Sequence, residues 1–219
     1  MVNRDKTDIL TLYVIINMCE DTQYWTYVPG FVDNSYFELV YDDMKRFVKQ
    51  YDVNVYGKVY PSRRMSCTFT NVDNCNDDDN NNIKNKYNTA LFSYSDIPSY
   101  DWNQSPAIVW LRQQMEDHCQ TTFDYCLVHL YRDGEDKIDK HSDKEGLNTV
   151  IASLSMGATR KFRFQKIGIS SGWDKEYALA GGDLLIMKVG CQSRYVHWVP
   201  KEVRVKQPRL NFTFRTYDK

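Results

Sequence analysis

Arg209-Leu210-Asn211-Phe212-Thr213-Phe214-Arg215 is a strict polar–apolar alternation seven residues long. In extended backbone successive side chains point to opposite faces, so Leu210, Phe212 and Phe214 share one face and Arg209, Asn211, Thr213 and Arg215 the other. The apolar face is an ordinary core face. The polar face carries two guanidiniums, and inside a barrel those need anions, for which a dicarboxylate ligand has matching fork geometry. On a solvent-facing strand the same residues would need no ligand, so the strand alone leaves both readings open.

Upstream, as far back as residue 122, short strand-like segments alternate with glycine-bearing turns. Asp124–Tyr131, Thr149–Met156, Lys161–Gln165, Asp183–Lys188, Ser193–Trp198 and Arg209–Thr216 read as strands. Before residue 122 the texture is helical in two places. Residues 35–51 set Phe37, Val40, Tyr41, Met44, Phe47, Val48 and Tyr51 at helical period, with Ser35 and Glu38 at capping-box spacing. A second helix is expected from Ser105 as N-cap, with Pro106 in its first turn and Ile108, Leu111 and Met115 buried, ending near His118. Helices first and many short strands after indicate an α+β protein whose larger part is a β-sandwich or barrel.

Composition bounds the rest. The chain has 219 residues, 42% of them hydrophobic and 14% aromatic, which excludes a disordered chain. A net charge of −1 excludes a globally basic nucleic-acid binder but leaves room for a local basic face. No run reaches the length of a membrane-spanning helix, and the apolar stretch Ile9–Met18 reads as a buried strand rather than a signal segment. The six cysteines form no C-x-x-C pair, which suggests reduced thiols inside a cell, in nucleus or cytoplasm. Residues 71–88 hold eight Asn and four Asp, too polar to repay ordering, and read as a flexible surface loop. One compact domain is expected, with an N-terminal part over 1–122 and a core over 123–219.

His141-Ser142-Asp143 supplies an imidazole and a carboxylate two residues apart, on one side of an extended chain. His197, in a separate strand just before the Arg209–Arg215 strand, offers a third ligand. Two His and one carboxylate are the facial triad of non-haem Fe(II) oxygenases, which leaves coordination positions open for co-substrate and oxygen. Structural zinc fits less well, because no Cys stands at ligand spacing to these residues.

Together, His141-x-Asp143, His197 and Arg209-x-Asn211-x-Thr213-x-Arg215 resemble the AlkB family of 2-oxoglutarate/Fe(II)-dependent dealkylating dioxygenases, and within it the DNA-repair homologue 2 and 3 group. The resemblance spans roughly residues 50–217. It includes Tyr131-Arg132-Asp133-Gly134, the Ile151–Ala158 segment, Leu179–Leu185 and Pro208-Arg209 in order. It implies a double-stranded β-helix (jelly-roll) core behind N-terminal helices and a β-hairpin that recognises nucleotides. It also implies Fe(II) held by His141, Asp143 and His197, with 2-oxoglutarate and O2 as co-substrates. Arg209 would pair with the distal carboxylate, helped by Tyr131 and Thr213. Arg215 would lie near the metal-side carboxylate and Asp143, and Asn211 would support the pocket. The implied reaction demethylates N-alkylated bases such as 1-methyladenine and 3-methylcytosine in DNA, with RNA a further substrate, releasing succinate and formaldehyde.

Where the family usually has Asn, two residues before Tyr131, this chain has His129. It shares the face of Tyr131, so it can donate in place of the amide, and its titration is expected to make co-substrate binding pH-dependent. At the nucleic-acid end, Val55-Tyr56-Gly57-Lys58 with Arg64 resembles the hairpin of duplex-acting members. Tyr56 is the expected wedge, and Gly57, Lys58 and Arg64 lie at the strand contacts. Phe92 is expected to stack a flipped base against His141, and Glu145 to reach the base edge. Basic residues at Arg160, Lys161, Arg163 and Lys166, and at Lys201, Arg204 and Lys206, are candidates for a phosphate-binding rim. The expected partner is alkylated DNA, double-stranded by preference, with single-stranded DNA or RNA as alternatives. The protein is expected to be a monomer away from membranes. Two other functions remain open on sequence grounds: an oxygenase of the same family acting on protein or RNA modifications, and a non-catalytic nucleic-acid binding module.

Overall fold

The computed structural model describes residues 19–55, 57–71 and 97–217. The expected strand at Ile9–Met18, nearly all of the Asn-rich loop, Tyr56 and Phe92 lie outside the described residues, as does the side chain of Glu145.

In chain order the strands are β1 (Glu20–Asp21), β2 (Trp25–Val28), β3 (Lys49–Val55), β4 (Lys58–Thr70), β5 (Ser99–Asp101), β6 (Tyr125–Tyr131) and β7 (Ile138–His141). They continue as β8 (Ile151–Gly157), β9 (Arg160–Lys166), β10 (Lys175–Leu179), β11 (Leu184–Met187), β12 (Tyr195–Val199) and β13 (Arg209–Arg215). Two helices, α1 (Phe37–Met44) and α2 (Pro106–Cys119), precede β6. A larger sheet runs β1-β2-β11-β8-β13-β6-β4-β3, with β5 parallel to β4 at one end, and a smaller sheet runs β10-β9-β12-β7. Apart from β4–β5 the pairings are antiparallel, and the two sheets make the jelly-roll core expected from the sequence. Strands from both sides of residue 122 share the larger sheet, since β2 pairs β11 and β4 pairs β6.

Alternation along β13 works as read, and both of its faces are buried. Leu210, Phe212 and Phe214 join a core built with Val40 and Met44 of α1, Ile108, Leu111 and Met115 of α2, and Phe69, Val128 and Leu154 of the sheet. A second core lies between the sheets, where Trp25, Ile151 and Leu185 of the larger meet Phe162, Phe164, Tyr177 and Tyr195 of the smaller. Gly157 ends β8 with φ +87°, and a Cβ there would lie 2.6 Å from both the Phe37 ring and the Pro208 carbonyl oxygen. Only glycine lets the chain turn there against the start of β13.

The second helix forms as its signals predict. The Ser105 hydroxyl accepts from the Ile108 amide at 3.1 Å, Pro106 opens the helix, and Gln120 closes it in the left-handed region at φ 51°. The first helix is much shorter than the expected 35–51. It ends at Met44, and from Lys49 the chain is strand β3. Residues 47–55 also alternate with period two, and pairing Lys49 with Ser66 and Val53 with Tyr60 gives their backbone a ladder partner in β4. That pairing outweighs the helical pattern. Tyr51 therefore leaves the helix core and packs instead with Ile97 and Leu127. The capping box at Ser35 does not form either. The Asp33 carboxylate accepts from the Ser35 amide at 2.8 Å, capping one 3-10 turn ahead of α1. Near residue 193, a single helical turn over Cys191–Arg194 delays the start of β12 to Tyr195.

Candidate active site

β12 and β7 are antiparallel neighbours, and their register sets His197 directly opposite His141. Cross-strand partners point to the same face, so both imidazoles project together and their ring centroids stand 4.3 Å apart. Asp143 lies two residues past the end of β7. Its Oδ1 is 3.5 Å from His141 Nε2 and its Oδ2 is 3.7 Å from His197 Nε2. The three ligand atoms all lie within 4.8 Å of one another.

Protonation suits metal binding. His141 Nδ1 is 2.8 Å from the Asp139 carbonyl oxygen. A carbonyl only accepts, so Nδ1 donates there and Nε2 is the ring nitrogen turned toward Asp143. Burial pushes the Asp143 carboxyl up, but Arg215, His197 and His141 outweigh it and bring it down to about 2. Burial, with the neighbouring His141 and Arg215, lowers His197 to about 3 against the pull of Asp143. Near neutral pH the site thus holds an ionised carboxylate and a neutral imidazole at His197, the forms that bind a metal. Two nitrogen donors and one oxygen donor fit Fe(II) with positions left open.

The inner face of β13 continues from this cluster. Arg215 Nη2 donates to Asp143 Oδ2 at 2.8 Å. The Thr213 hydroxyl lies 3.4 Å from Asn211 Oδ1, and Asn211 Nδ2 donates to the Ser153 hydroxyl at 2.9 Å and the Leu154 carbonyl at 3.0 Å. At the far end Arg209, 1% exposed, donates from Nη2 to the Ser155 hydroxyl at 2.8 Å. Its Nε and Nη1 have no hydrogen-bond partner among the described residues. Burial and the nearby Arg160 charge lower this guanidinium to about 10, so it stays charged at neutral pH. A buried cation with unused donors is a site for an anion.

β6 supplies the adjoining wall, because Tyr131 pairs with Arg209 and His129 with Asn211. The Arg209 guanidinium stands 5.2 Å from the centre of the Tyr131 ring, and that of Arg160 stands 5.6 Å from it. His129 Nδ1 meets the Ser66 hydroxyl at 2.7 Å. Burial first, then the charges of Arg64, Arg215, His141 and Arg209, hold His129 well below its usual value. His129 is therefore neutral near pH 7, and the expectation of a group titrating near neutrality is not met in this structure.

The hairpin residues divide. Gly57 turns between β3 and β4 at φ +81°, and Lys58 is exposed beside it. Arg64 lies away from that tip: it is half-buried, and its charge acts on His129 deep in the site. The basic rim also needs correction. Arg160 is 1% exposed and donates to the carbonyls of Asp133, Asp136 and Pro200, because three loop ends there need a common donor. Arg163 is paired with Glu176 at 2.5 Å.

Several site residues escaped the sequence reading. Ser153 and Ser155 are polar positions two apart in an apolar strand, a signal that was present. Ser66 carries the same signal in β4. Gln192, 1% exposed, accepts from the Asp143 amide at 2.9 Å, and nothing in its sequence context marks it.

Comparison with known proteins agrees with this geometry. The family model for the 2OG-Fe(II) oxygenase superfamily matches residues 26–215. Alpha-ketoglutarate-dependent dioxygenase alkB homolog 3 from Bos taurus is 38% identical over 143 residues, covering 59% of this chain and 49% of that protein. The Mus musculus counterpart is 39% identical over the same length and shares. DNA oxidative demethylase ALKBH2 from Bos taurus is 32% identical over 136 residues, covering 58% of this chain and 48% of that protein. The matched region thus spans about half the length of these relatives. The solved structure of OsALKBH1 superposes with a TM-score of 0.56 at 16% identity, covering 91% of this chain and all of the other, and so supports the fold. With the triad, the polar face of β13 and the family match over residues 26–215 in agreement, the chain belongs to the 2OG-Fe(II) oxygenase superfamily, and over about 140 residues it is similar to the alkB homologues.

Proposed function

We propose that this protein is a 2-oxoglutarate- and Fe(II)-dependent dioxygenase that removes N-alkyl groups from bases such as 1-methyladenine and 3-methylcytosine in DNA. One observation carries the reading. A two-His, one-carboxylate cluster shares its interior with a buried arginine whose Nε and Nη1 lack partners among the described residues. Bound Fe(II) would supply oxygen activation, coupling decarboxylation of 2-oxoglutarate to hydroxylation of the N-methyl carbon.

The chain's own residues do the rest. His141, Asp143 and His197 hold the metal. Arg209 binds the distal carboxylate of 2-oxoglutarate through charge-assisted hydrogen bonds, with Tyr131 beside it and Asn211 and Thr213 lining the pocket. Arg215 keeps Asp143 ionised and oriented and adds positive charge at the metal-side carboxylate. His129, as a neutral donor or acceptor, takes the place beside Asn211. The hydroxylated substrate then splits its own C–N bond, leaving the repaired base and formaldehyde.

Nucleic acid fits the hairpin. Lys58 and Tyr60 lie in the exposed end of β4, the strand whose Ser66 meets His129 farther along. Tyr60 is 48% exposed and Val59 62%. An exposed aromatic two residues from an exposed lysine, at the end of a hairpin, supports stacking on a base with a phosphate contact. The hairpin favours double-stranded DNA in our reading, with Tyr56, Gly57, Lys58, Arg64, Phe92 and Glu145 as contacts, and the protein acting as a monomer inside the cell. The part before residue 122 then serves recognition.

The test is reconstitution with Fe(II), O2 and 2-oxoglutarate on oligonucleotides bearing one 1-methyladenine, single- and double-stranded in parallel. The expected result is loss of one methyl mass with succinate and formaldehyde. Succinate without demethylation would move the substrate to protein or other RNA marks. Iron-independent binding with no turnover would leave a binding module.

A further inference from the structure

We infer that Gln192 is a positioning residue for the metal site, fixing the main chain of Asp143 so that its carboxylate meets both imidazoles. The inference rests on reading His141, Asp143 and His197 as metal ligands. Asp143 lies in an irregular segment beyond the end of β7, and strand pairing does not hold it there. Its side chain is tied by Arg215, at 2.8 Å. Its carbonyl accepts from the Gly146 amide at 2.9 Å. Its own amide is satisfied by Gln192 Oε1 at 2.9 Å, in a buried environment where an unpaired N–H would be costly.

Gln192 is itself well fixed. It is 1% exposed, sits in the helical turn Cys191–Arg194, and sends its Nε2 to the Met187 sulfur at 3.2 Å. Gly146 is confined by the same packing: a Cβ there would lie 2.3 Å from Ile151 Cδ1 and 3.7 Å from Gln192 Cγ. Five residues after Gln192 the same segment delivers His197. One stretch of chain therefore provides one ligand and sets the backbone of another, so the spacing between the ligands is held by a single rigid piece. Groups that orient metal ligands typically change affinity about tenfold or more when removed.

The test compares the parent with Gln192→Met, which keeps length and apolar bulk but loses the acceptor, and Gln192→Glu, which keeps an acceptor oxygen. Mn(II) affinity is measured by titration, the Co(II) ligand-field spectrum reports ligand geometry, and amide exchange is followed at Asp143. The expected result for Gln192→Met is about tenfold weaker Mn(II) binding, a shifted Co(II) spectrum and faster exchange at Asp143, with Gln192→Glu retaining the slow amide. A folded Gln192→Met that binds Mn(II) within twofold of the parent, with an unchanged Co(II) spectrum, overturns the inference. If that variant does not fold, the parent decides: an Asp143 amide exchanging as fast as an exposed loop amide overturns it as well. A parent that binds no Mn(II) overturns the metal reading itself, and this inference with it.

Discussion

β13 and the β3–β4 hairpin are both extended and both carry residues assigned to function, yet they are held very differently. β13 is the middle of the larger sheet, paired along seven residues with β6 and six with β8, and every side chain is buried. A slip of one residue would break two ladders and turn three apolar side chains into the polar interior. The hairpin is paired on one side near its tip, its register shifts between Gln50 and Asp52, and its last residues are exposed. Metal and co-substrate chemistry needs donors fixed before the ligand arrives, whereas a nucleic acid must be reached from outside. The difference teaches that in this fold the polar row proposed to hold the co-substrate sits where register is over-determined, and the residues proposed for recognition where it is loose.

The sharpest way to break this comparison is at the rigid end. Replacing His141, Asp143 or His197 by Ala removes one of three ligands, and succinate formation should fall to background; retained turnover in any of the three would remove that residue from the metal set. Next in size, Arg209→Ala should raise the KM for 2-oxoglutarate about a hundredfold with a much smaller change in kcat, since a charge-assisted pair contributes about 3 kcal/mol. Steady-state succinate assays separate the two constants, and Lys at that position should recover only part because it lacks the fork.

At the loose end the effects should be smaller and confined to the polymer. Tyr60→Ala should weaken oligonucleotide binding about tenfold by loss of one stacking contact, while the KM for 2-oxoglutarate stays put. Lys58→Ala should lower the slope of log affinity against log salt by about one. If either change alters co-substrate affinity instead, the hairpin is part of the rigid site and the contrast fails.

The smallest effect concerns pH. His129 and His197 are both held below the usual histidine value by burial and neighbouring charge. The unfolded chain therefore takes up protons that the folded one refuses as pH falls below about 6.5, and stability should drop with falling pH, by up to about 1.4 kcal/mol per pH unit for each histidine. Asp143 works in the same direction, but only between about 4 and about 2. In metal-free protein, His129→Asn should flatten the fall measured between pH 6.5 and 5 by denaturant melts; an unchanged slope would mean that His129 is protonated in the fold.

Much of the core was readable because its signals are local. Period-two alternation in Arg209–Arg215, Ser105-Pro106 at a helix start and glycines between strands each act within a few residues. The family resemblance, carried by His141, Asp143, His197 and the β13 polar face, then placed those residues in one site. The helix expected over 35–51 failed for the opposite reason. Residues 47–55 satisfy two periods at once, and only the presence of β4 as a hydrogen-bonding partner selects the strand. Arg160 read as a surface charge because nothing in its neighbours announces three carbonyl groups converging from residues 133, 136 and 200.

The sequence by itself determined that Arg209, Asn211, Thr213 and Arg215 share one face of β13 and that His141 and Asp143 stand two residues apart, since alternation and spacing are properties of the chain. Only the tertiary structure decided that His141 and His197 stand opposite each other, that Arg209 keeps unused donors inside the protein, that His129 is neutral, and that Gln192 holds Asp143. Each of those depends on register between strands distant in sequence, and on the burial that register creates, which no local pattern encodes.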